Sequence, residues 1–218
     1  MSAARVISRR DDLAEDAIAL SFDDGPSEWT LPILDTLAAH GAVATFYVIG
    51  SAIAGREDTL RRIAAEGHEA GNHTFTHPHI VRDHLTPEQI EEELGATSRV
   101  IEEVLGAAPR TFRPPFFGDD IPSLRTIGSL FPLSIHADVH TNDWDATEPG
   151  PIVDAIVPAV TRGTIIDLHD GRPAGERVSA SRTDRWPTAH AVAEIVPALL
   201  AKGFRFVTVS ELLALPAR

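Results

Sequence analysis

The sequence predicts an α/β protein built as a closed or nearly closed barrel of about seven parallel strands. Short apolar, β-branched runs alternate with amphipathic helical patterns along almost the whole chain of 218 residues. Strict alternation of this kind requires right-handed crossovers, and these produce a parallel sheet. Seven such units without a change in composition favour a barrel over an open sheet or two domains. We therefore expect a single domain over residues 17–218, preceded by a short extension at 1–16.

Each predicted strand ends at a glycine, a proline or a polar residue. The first, 18–22, is apolar at almost every position, which is typical of a strand buried on both faces. It stops at Asp23 and Asp24, and Gly25-Pro26 then turns the chain. The further predicted strands are 44–49, 69–73, 111–113, 133–139, 164–168 and 204–209.

Capping residues and glycines indicate where the helices begin and end. Ser27 is the expected cap of a helix over 27–39. Thr86-Pro87-Glu88-Gln89 combines a threonine cap with proline at the first helical position, and it predicts a helix that continues to Gly106. Ser210 is the expected cap of a terminal helical turn. Helices are also predicted near 58–66, 121–130, 152–161 and 188–202.

Composition narrows the class of partner and the kind of metal site. Nineteen basic against thirty-two acidic residues give a net charge of −13, which argues against nucleic acid or an anionic membrane surface as the main partner. Because there is no cysteine, any metal must be bound by histidine and carboxylate. Residues 1–12 lack the apolar core of a secretory signal, and no apolar run reaches the roughly 18 residues of a membrane span. A cytoplasmic location is the simpler expectation, unless a leader has been removed and the protein is secreted.

Polar side chains suited to catalysis collect at the carboxyl ends of the predicted strands. In a parallel barrel these ends share one rim, where such folds place their active sites. So many functional side chains on one rim are hard to attribute to solvation alone. The residues are Asp23 and Asp24 after the first strand, His73 and His77 after the third, Arg113 after the fourth, Asp143 and Trp144 after the fifth, and His169 and Asp170 after the sixth.

His73-Thr74-Phe75-Thr76-His77 places two imidazoles four residues apart, so that both can converge on one ion from a helix or from a tight loop. Taken alone, such a pair is more often two solvated loop histidines, and an Asp-Asp-Gly-Pro segment alone is more often a simple turn. On one rim, two histidines and one carboxylate leave an open coordination position. That pattern is typical of a catalytic divalent-metal site.

Five motifs in the chain resemble, in their order, those of the polysaccharide deacetylase family, which includes chitin, chitooligosaccharide and peptidoglycan deacetylases. They are SFDDGP at 21–26, HTFTH at 73–77, RPPF at 113–116, DW at 143–144 and LHD at 168–170. The resemblance spans residues 17–212. It implies a distorted (β/α) barrel and the metal-dependent hydrolysis of an N-acetyl group, with zinc as the expected metal.

The resemblance also implies how the two adjacent acids differ. Asp24, His73 and His77 would bind the metal. Asp23 would be the general base, held ionised and oriented by Arg113. The division is chemically reasonable, because a carboxylate can take a proton from water only if it is not itself occupied as a ligand.

The remaining matched residues would serve the leaving group and the substrate. His169 corresponds to the general acid, and Asp143 to the carboxylate that holds it. An amine leaves only when it is protonated, which is the task of such a histidine. Trp144 resembles a wall of the sugar or acyl pocket. Pro115 and Phe116 are also expected to contact substrate, and the backbone N–H near Phe116 is expected to stabilise the oxyanion.

Three positions depart from the family pattern. Phe116 stands where tyrosine is usual, and little loss is expected because the backbone N–H does the work. His140 stands where an acid is common, and it is either a substrate contact or a solvated side chain. Asp167 stands where a leucine usually packs on the acetyl methyl group. Either it pairs with an arginine of the long loop that follows, or the pocket is polar and the acyl group is not a plain acetyl. The loop arginines are Arg172, Arg177, Arg182 and Arg185.

The sequence thus favours a metal-dependent hydrolase that removes an N-acyl group, in first place N-acetyl, from an amino sugar or a small molecule containing one. The expected partner is a small-molecule or oligosaccharide substrate. A cyclic imide or ureide hydrolase of the same fold is the alternative, and the complete metal group disfavours it. A non-catalytic carbohydrate-binding relative is less favoured, because both Asp23 and His169 are present.

Overall fold

The computed structural model describes residues 2–174 and 184–218, and it shows the predicted parallel α/β architecture. Eight strands lie within the described ranges. They are β1 (Arg5–Ile7), β2 (Ala17–Asp23), β3 (Thr45–Val48), β4 (Glu69–Asn72), β5 (Leu133–Ile135), β6 (Val139–His140), β7 (Ile165–His169) and β8 (Arg205–Val207).

Strand β2 lies at the centre of the sheet, and all seven of its residues are buried. The hydrogen-bonded order is β4-β3-β2-β7-β6, with β8 also paired to β2. Along one edge of β2, the beginning of the strand pairs with β8 and its end pairs with β3. The other edge pairs with β7, and the register places Asp23 opposite His169. The central strand therefore delivers its carboxyl end to the same level as that of β7.

The barrel closes through isolated hydrogen bonds instead of a full ladder. Phe112 forms a parallel bridge to Asn72, and its carbonyl accepts a hydrogen bond from Ile135 N–H at 2.9 Å. The prediction of a strand at 111–113 is therefore wrong, because these residues form single bridges instead of continuous strand pairing. Two prolines follow Arg113, and because proline has no N–H, pairing cannot continue there.

The predicted strand at 133–139 is also wrong in its extent, because the chain changes partner within it. Strand β5 pairs with β1, whereas β6 pairs with β7. Between them, His136 N–H donates to the Ile7 carbonyl and Asp138 N–H donates to the Ile165 carbonyl. The sequence analysis did not predict β1, although it supplies the pairing edge for β5.

The helices agree with prediction to within a few residues, and the capping pattern at Thr86 is confirmed. Thr86 accepts a hydrogen bond from Gln89 N–H, and the Gln89 side chain accepts one from Thr86 N–H. Ser27 lies one turn before its helix and accepts from Trp29 N–H. The helices are α1 (Thr30–His40), α2 (Glu57–Ala65), α3 (Pro87–Leu105), α4 (Ile121–Ile127), α5 (Gly150–Ala159), α6 (Trp186–Ala201) and α7 (Val209–Ala214).

The cap of α7 is Thr208 and not Ser210 as predicted. Thr208 accepts a hydrogen bond from Glu211 N–H, and the Glu211 carboxylate accepts one from Thr208 N–H. Ser210 donates to Glu69 at 2.6 Å, so its hydroxyl fastens the helix to the base of β4.

Alternation along β2 separates the helix-facing core from the barrel interior. Ile18, Leu20 and Phe22 belong to the apolar cluster shared with the helices. Ala17 and Ala19 belong to a second cluster, which fills the inside of the barrel. Side chains alternate along a strand, so Ser21 and Asp23 continue the inward-facing row toward the rim. None of the helices in the described part of the chain has both the length and the apolar character needed to span a membrane.

Candidate active site

The two adjacent acids reach the same rim because the backbone changes conformation between them. Asp23 is the last residue of β2, and Asp24 has a φ of 73°, in the left-handed region that few non-glycine residues adopt. Both side chains are buried. A Cβ on Gly171 would lie only 2.1 Å from the Asp24 carbonyl oxygen, so glycine there lets the chain after β7 pass close to this turn.

Asp24, His73 and His77 form a compact group of three potential metal ligands. Their ligand atoms lie within 4.8 Å of one another. Asp24 Oδ1 is 3.1 Å from His77 Nε2 and 3.5 Å from His73 Nε2. The predicted convergence of these three residues is therefore present, and it arises from a tight loop in which Thr74 and His77 both have positive φ.

The surroundings of this group suit a divalent cation. His73 Nδ1 is 2.8 Å from the Arg113 carbonyl oxygen, so this nitrogen carries the proton and Nε2 presents a lone pair toward Asp24. Asp24 Oδ1 is buried without a hydrogen-bond partner. Two imidazole nitrogens and one carboxylate oxygen form a donor set that zinc accepts. The residues present thus fit the metal that the sequence predicts.

Charge complementarity is already strong in this group. Burial opposes ionisation of Asp24, but the neighbouring imidazoles of His73 and His77 outweigh it and hold the pKa of Asp24 far below its ordinary value. Burial also opposes a positive His73, yet the charges of Asp23 and Asp24 raise the pKa of that imidazole. The carboxylates favour positive charge at this point, which a bound cation would supply.

Arg113 is a fully buried hub beneath the two acids. Its Nη1 lies 2.8 Å from Ser21 Oγ, from Asp23 Oδ1 and from Asp167 Oδ1. The guanidinium stacks on the Tyr47 ring, 4.3 Å from the ring centroid. Burial disfavours its charge, but the carboxylates of Asp23 and Asp167 raise the pKa of Arg113 above its ordinary value. The predicted contact between Arg113 and Asp23 is therefore present.

His169 and Asp143 form the second predicted pair. His169 Nδ1 lies 2.8 Å from Asp143 Oδ1, while Asp143 Oδ2 accepts from the His169 backbone N–H and from Thr188 Oγ1. Burial lowers the basicity of the imidazole. The charge and the hydrogen bond of Asp143 outweigh burial, and together with the charges of Asp167 and Asp24 they raise the pKa of His169 to about 10. At neutral pH this histidine carries a proton.

Asp167 is paired with an arginine that lies outside the following loop. Its partner is Arg113, at 2.8 Å. Burial and the neighbouring Asp23 raise the pKa of Asp167 to about 7, against the opposing charge of Arg113. Arg185 donates to the backbone carbonyls of Gly171 and Trp144, and Arg177 and Arg182 lie outside the described residues. The pairing of Asp167 that the structure describes therefore crosses the barrel interior.

These groups surround one cavity of about 310 Å³. Phe116 and Trp144 lie at its mouth, 54% and 40% exposed. Pro115 is buried and is not among the described residues that line the cavity, so its substrate contact stays a prediction. The lining residues are Asp23, Asp24, His73, His77, Phe116, Phe117, His140, Trp144, Asp167, His169, Pro173 and Arg185.

Several supporting residues were missed by sequence reasoning. Asp170 is buried with its Oδ2 2.5 Å from Thr30 Oγ1, and burial raises its pKa to about 7. Asp170 is the last residue of the LHD motif, and this position is the sequence signal for its importance. Ser21 and Thr188, which hold Arg113 and Asp143, carried little signal, because both contacts join residues far apart in sequence.

A parallel barrel with paired histidine and carboxylate groups at its carboxyl-end rim defines a hydrolase of the deacetylase type. Residues 10–124 match the sequence profile of the family described as Polysaccharide deacetylase. The chain is 37% identical to a chitooligosaccharide deacetylase of Bradyrhizobium sp. (strain ANU 289), over 86% of each protein. It belongs to the polysaccharide deacetylase family, and it is a hydrolase of carbon–nitrogen amide bonds.

Two further relatives act on cell-wall material according to their names. The peptidoglycan-N-acetylglucosamine deacetylase PgdA of Listeria monocytogenes is 30% identical, and the match covers 89% of this chain and 38% of that protein. The crystal structure of the Bc1960 peptidoglycan N-acetylglucosamine deacetylase superposes with a TM-score of 0.85 at 28% identity, covering 99% of this chain and 95% of that one. The predicted fold class is thereby confirmed.

Proposed function

We propose that this protein uses a divalent metal ion, zinc in the first instance, to hydrolyse the N-acyl group of an amino sugar in a small molecule or an oligosaccharide. One observation carries the proposal. The metal-ligand group Asp24–His73–His77, the Arg113-bound Asp23 and the His169–Asp143 pair all face one cavity. Relatives named as deacetylases of chitooligosaccharides and of peptidoglycan N-acetylglucosamine support the substrate class.

The two flanking groups have different proton-transfer roles in the proposed hydrolysis. Asp23, held by Arg113, takes a proton from the attacking water. His169, kept protonated by Asp143, gives a proton to the leaving amine. Asp24, His73 and His77 would hold the metal ion, which would supply Lewis-acid polarisation of the amide carbonyl when bound.

The cavity mouth suits a sugar. The side chains of Phe116 and Trp144 are partly exposed on its rim, and pyranose rings pack their C–H faces on aromatic side chains. The Phe116 backbone N–H is the proposed donor to the developing oxyanion. A cavity of about 310 Å³ holds an acylated sugar unit, with further units of an oligosaccharide lying outside it.

Amine release from N-acetylglucosamine oligomers, measured on zinc-loaded and chelator-treated protein, tests the proposal. We expect activity that chelator removes and zinc restores. Asp23→Asn should bind zinc like the wild type but lose turnover, and Asp154→Asn, an exposed change of the same charge in α5, should leave turnover unchanged. Hydrolysis of cyclic imides that persists after chelation, with no release from amino sugars, would contradict the proposal.

A further inference from the structure

Asp167 is a buried acid in the active cavity that the proposed reaction does not use. It is 3% exposed, and one of its oxygens lies within 4.8 Å of ligand atoms of Asp23 and His169. The strand register places Asp167 opposite Ser21, two residues before the Asp23–His169 pair. It therefore forms the floor of the cavity, one pleat below the groups that carry out proton transfer.

Arg113 does not satisfy this acid completely. The Nη1 that reaches Asp167 has two protons, and it is shared among three oxygens at 2.8 Å, those of Ser21, Asp23 and Asp167. A carboxylate offers about four acceptor positions on its two oxygens, and a protonated carboxyl group also keeps acceptor capacity. Asp167 thus retains acceptor capacity, and it lines the cavity.

The position of Asp167 relates it to one part of the substrate. In the proposed reaction the amide nitrogen must face His169, and the attacking water must face Asp23. The carbon substituent of the carbonyl is then left to meet the floor of the cavity. A plain methyl group placed there would desolvate the Asp167 carboxylate without offering it a hydrogen bond, which is unfavourable.

We propose that Asp167 selects an acyl group that carries a hydrogen-bond donor on the carbon next to the carbonyl, namely hydroxyacetyl. This inference rests on the proposed function and specifies its substrate. Water adds across the carbon–nitrogen bond. The carbonyl carbon gains the oxygen and leaves as hydroxyacetate, and the nitrogen leaves as a protonated amino sugar. No further reactant is needed.

The test compares three glucosamine oligomers that differ only in their acyl group: hydroxyacetyl, acetyl, and propanoyl, which matches hydroxyacetyl in size but lacks the donor. We expect kcat/KM of the zinc-loaded protein to be roughly tenfold to a hundredfold higher for hydroxyacetyl than for the other two. Asp167→Leu should reverse the order in favour of acetyl. Asp167→Asn keeps the size of the side chain and one acceptor. Its ratio of kcat/KM for hydroxyacetyl over acetyl should therefore lie between those of the wild type and Asp167→Leu.

The outcomes separate this inference from the proposed function. Equal or higher kcat/KM for acetyl in the wild type would overturn the role of Asp167, and the proposed amide hydrolysis would stand. A ratio of kcat/KM for hydroxyacetyl over acetyl that is the same in Asp167→Asn as in the wild type would also overturn the role of Asp167. Failure of the wild type on all three oligomers would overturn both proposals. The wild-type ratio decides the matter even if the leucine variant does not fold.

Discussion

Replacing Asp143 by asparagine should shift the pH dependence of activity, because Asp143 sets the protonation of His169. Asp143 is buried, accepts from the imidazole at 2.8 Å, and is the strongest influence that raises the pKa of His169 against burial. Asparagine keeps the size and one acceptor but removes the charge. Without the negative charge of Asp143, the effect of burial dominates, and the pKa of the His169 imidazole should fall to its ordinary value or below.

The size of the effect follows from the two pKa values. A general acid works in its protonated form, so a raised pKa preserves activity as the pH increases, and a lowered one brings the loss to lower pH. With a pKa of about 10, His169 is almost fully protonated at pH 8. At the ordinary value of about 6.5, roughly 3% would be protonated at pH 8 and about three quarters at pH 6. The variant should therefore lose about thirtyfold in kcat/KM at pH 8 and little at pH 6.

Profiles of kcat/KM for amine release, measured from about pH 5.5 to 9.5 on zinc-loaded protein, check this expectation. Asp154→Asn, the same change at an exposed position of α5, is the matched control and should retain the wild-type profile. A loss in Asp143→Asn that is the same at every pH would refute the electrostatic reasoning. It would show that Asp143 acts only by orienting the ring.

Three further changes test other parts of the structure. His77→Ala should weaken zinc binding by more than about a hundredfold in a chelator competition. Mutating residues that only support the ligands already lowers metal affinity by up to about that factor, so losing a ligand should cost more. Unchanged affinity would show that His77 is not a ligand. Phe22→Ala, at a fully buried position in β2, should cost about 3–5 kcal/mol in the free energy of unfolding measured with denaturant. Thr86→Ala should lose about 1 kcal/mol, because the α3 capping box loses its acceptor, while Thr86→Ser should lose little.

The sequence was sufficient to predict which residues lie on the rim, because the direction of the strands alone determines which residues are at their carboxyl ends. Once parallel strands are inferred, Asp24, His73 and His169 must all lie at carboxyl ends, and no side-chain geometry is needed to bring them together. Helix caps such as Thr86 were predictable for a similar reason, since their hydrogen bonds join residues three apart.

The features that sequence reasoning missed depend on long-range contacts. Pairing with an arginine of the following loop was one of two interpretations of Asp167, whereas the partner that the structure describes, Arg113, is 54 residues earlier in the chain. The pairing between β1 and β5 likewise joins segments more than a hundred residues apart, and β1 has only three residues. Local patterns contain no information on which of several arginines or short apolar runs the fold brings into contact.

Arg113 connects the two halves of the site through two different parts of one residue. Its carbonyl oxygen accepts from His73 Nδ1, and its guanidinium holds Asp23. A single residue therefore positions both a histidine of the proposed metal-ligand group and the proposed base. Replacing its side chain removes the contact with Asp23 and spares the carbonyl, so we expect metal affinity and turnover to respond separately to changes at Arg113.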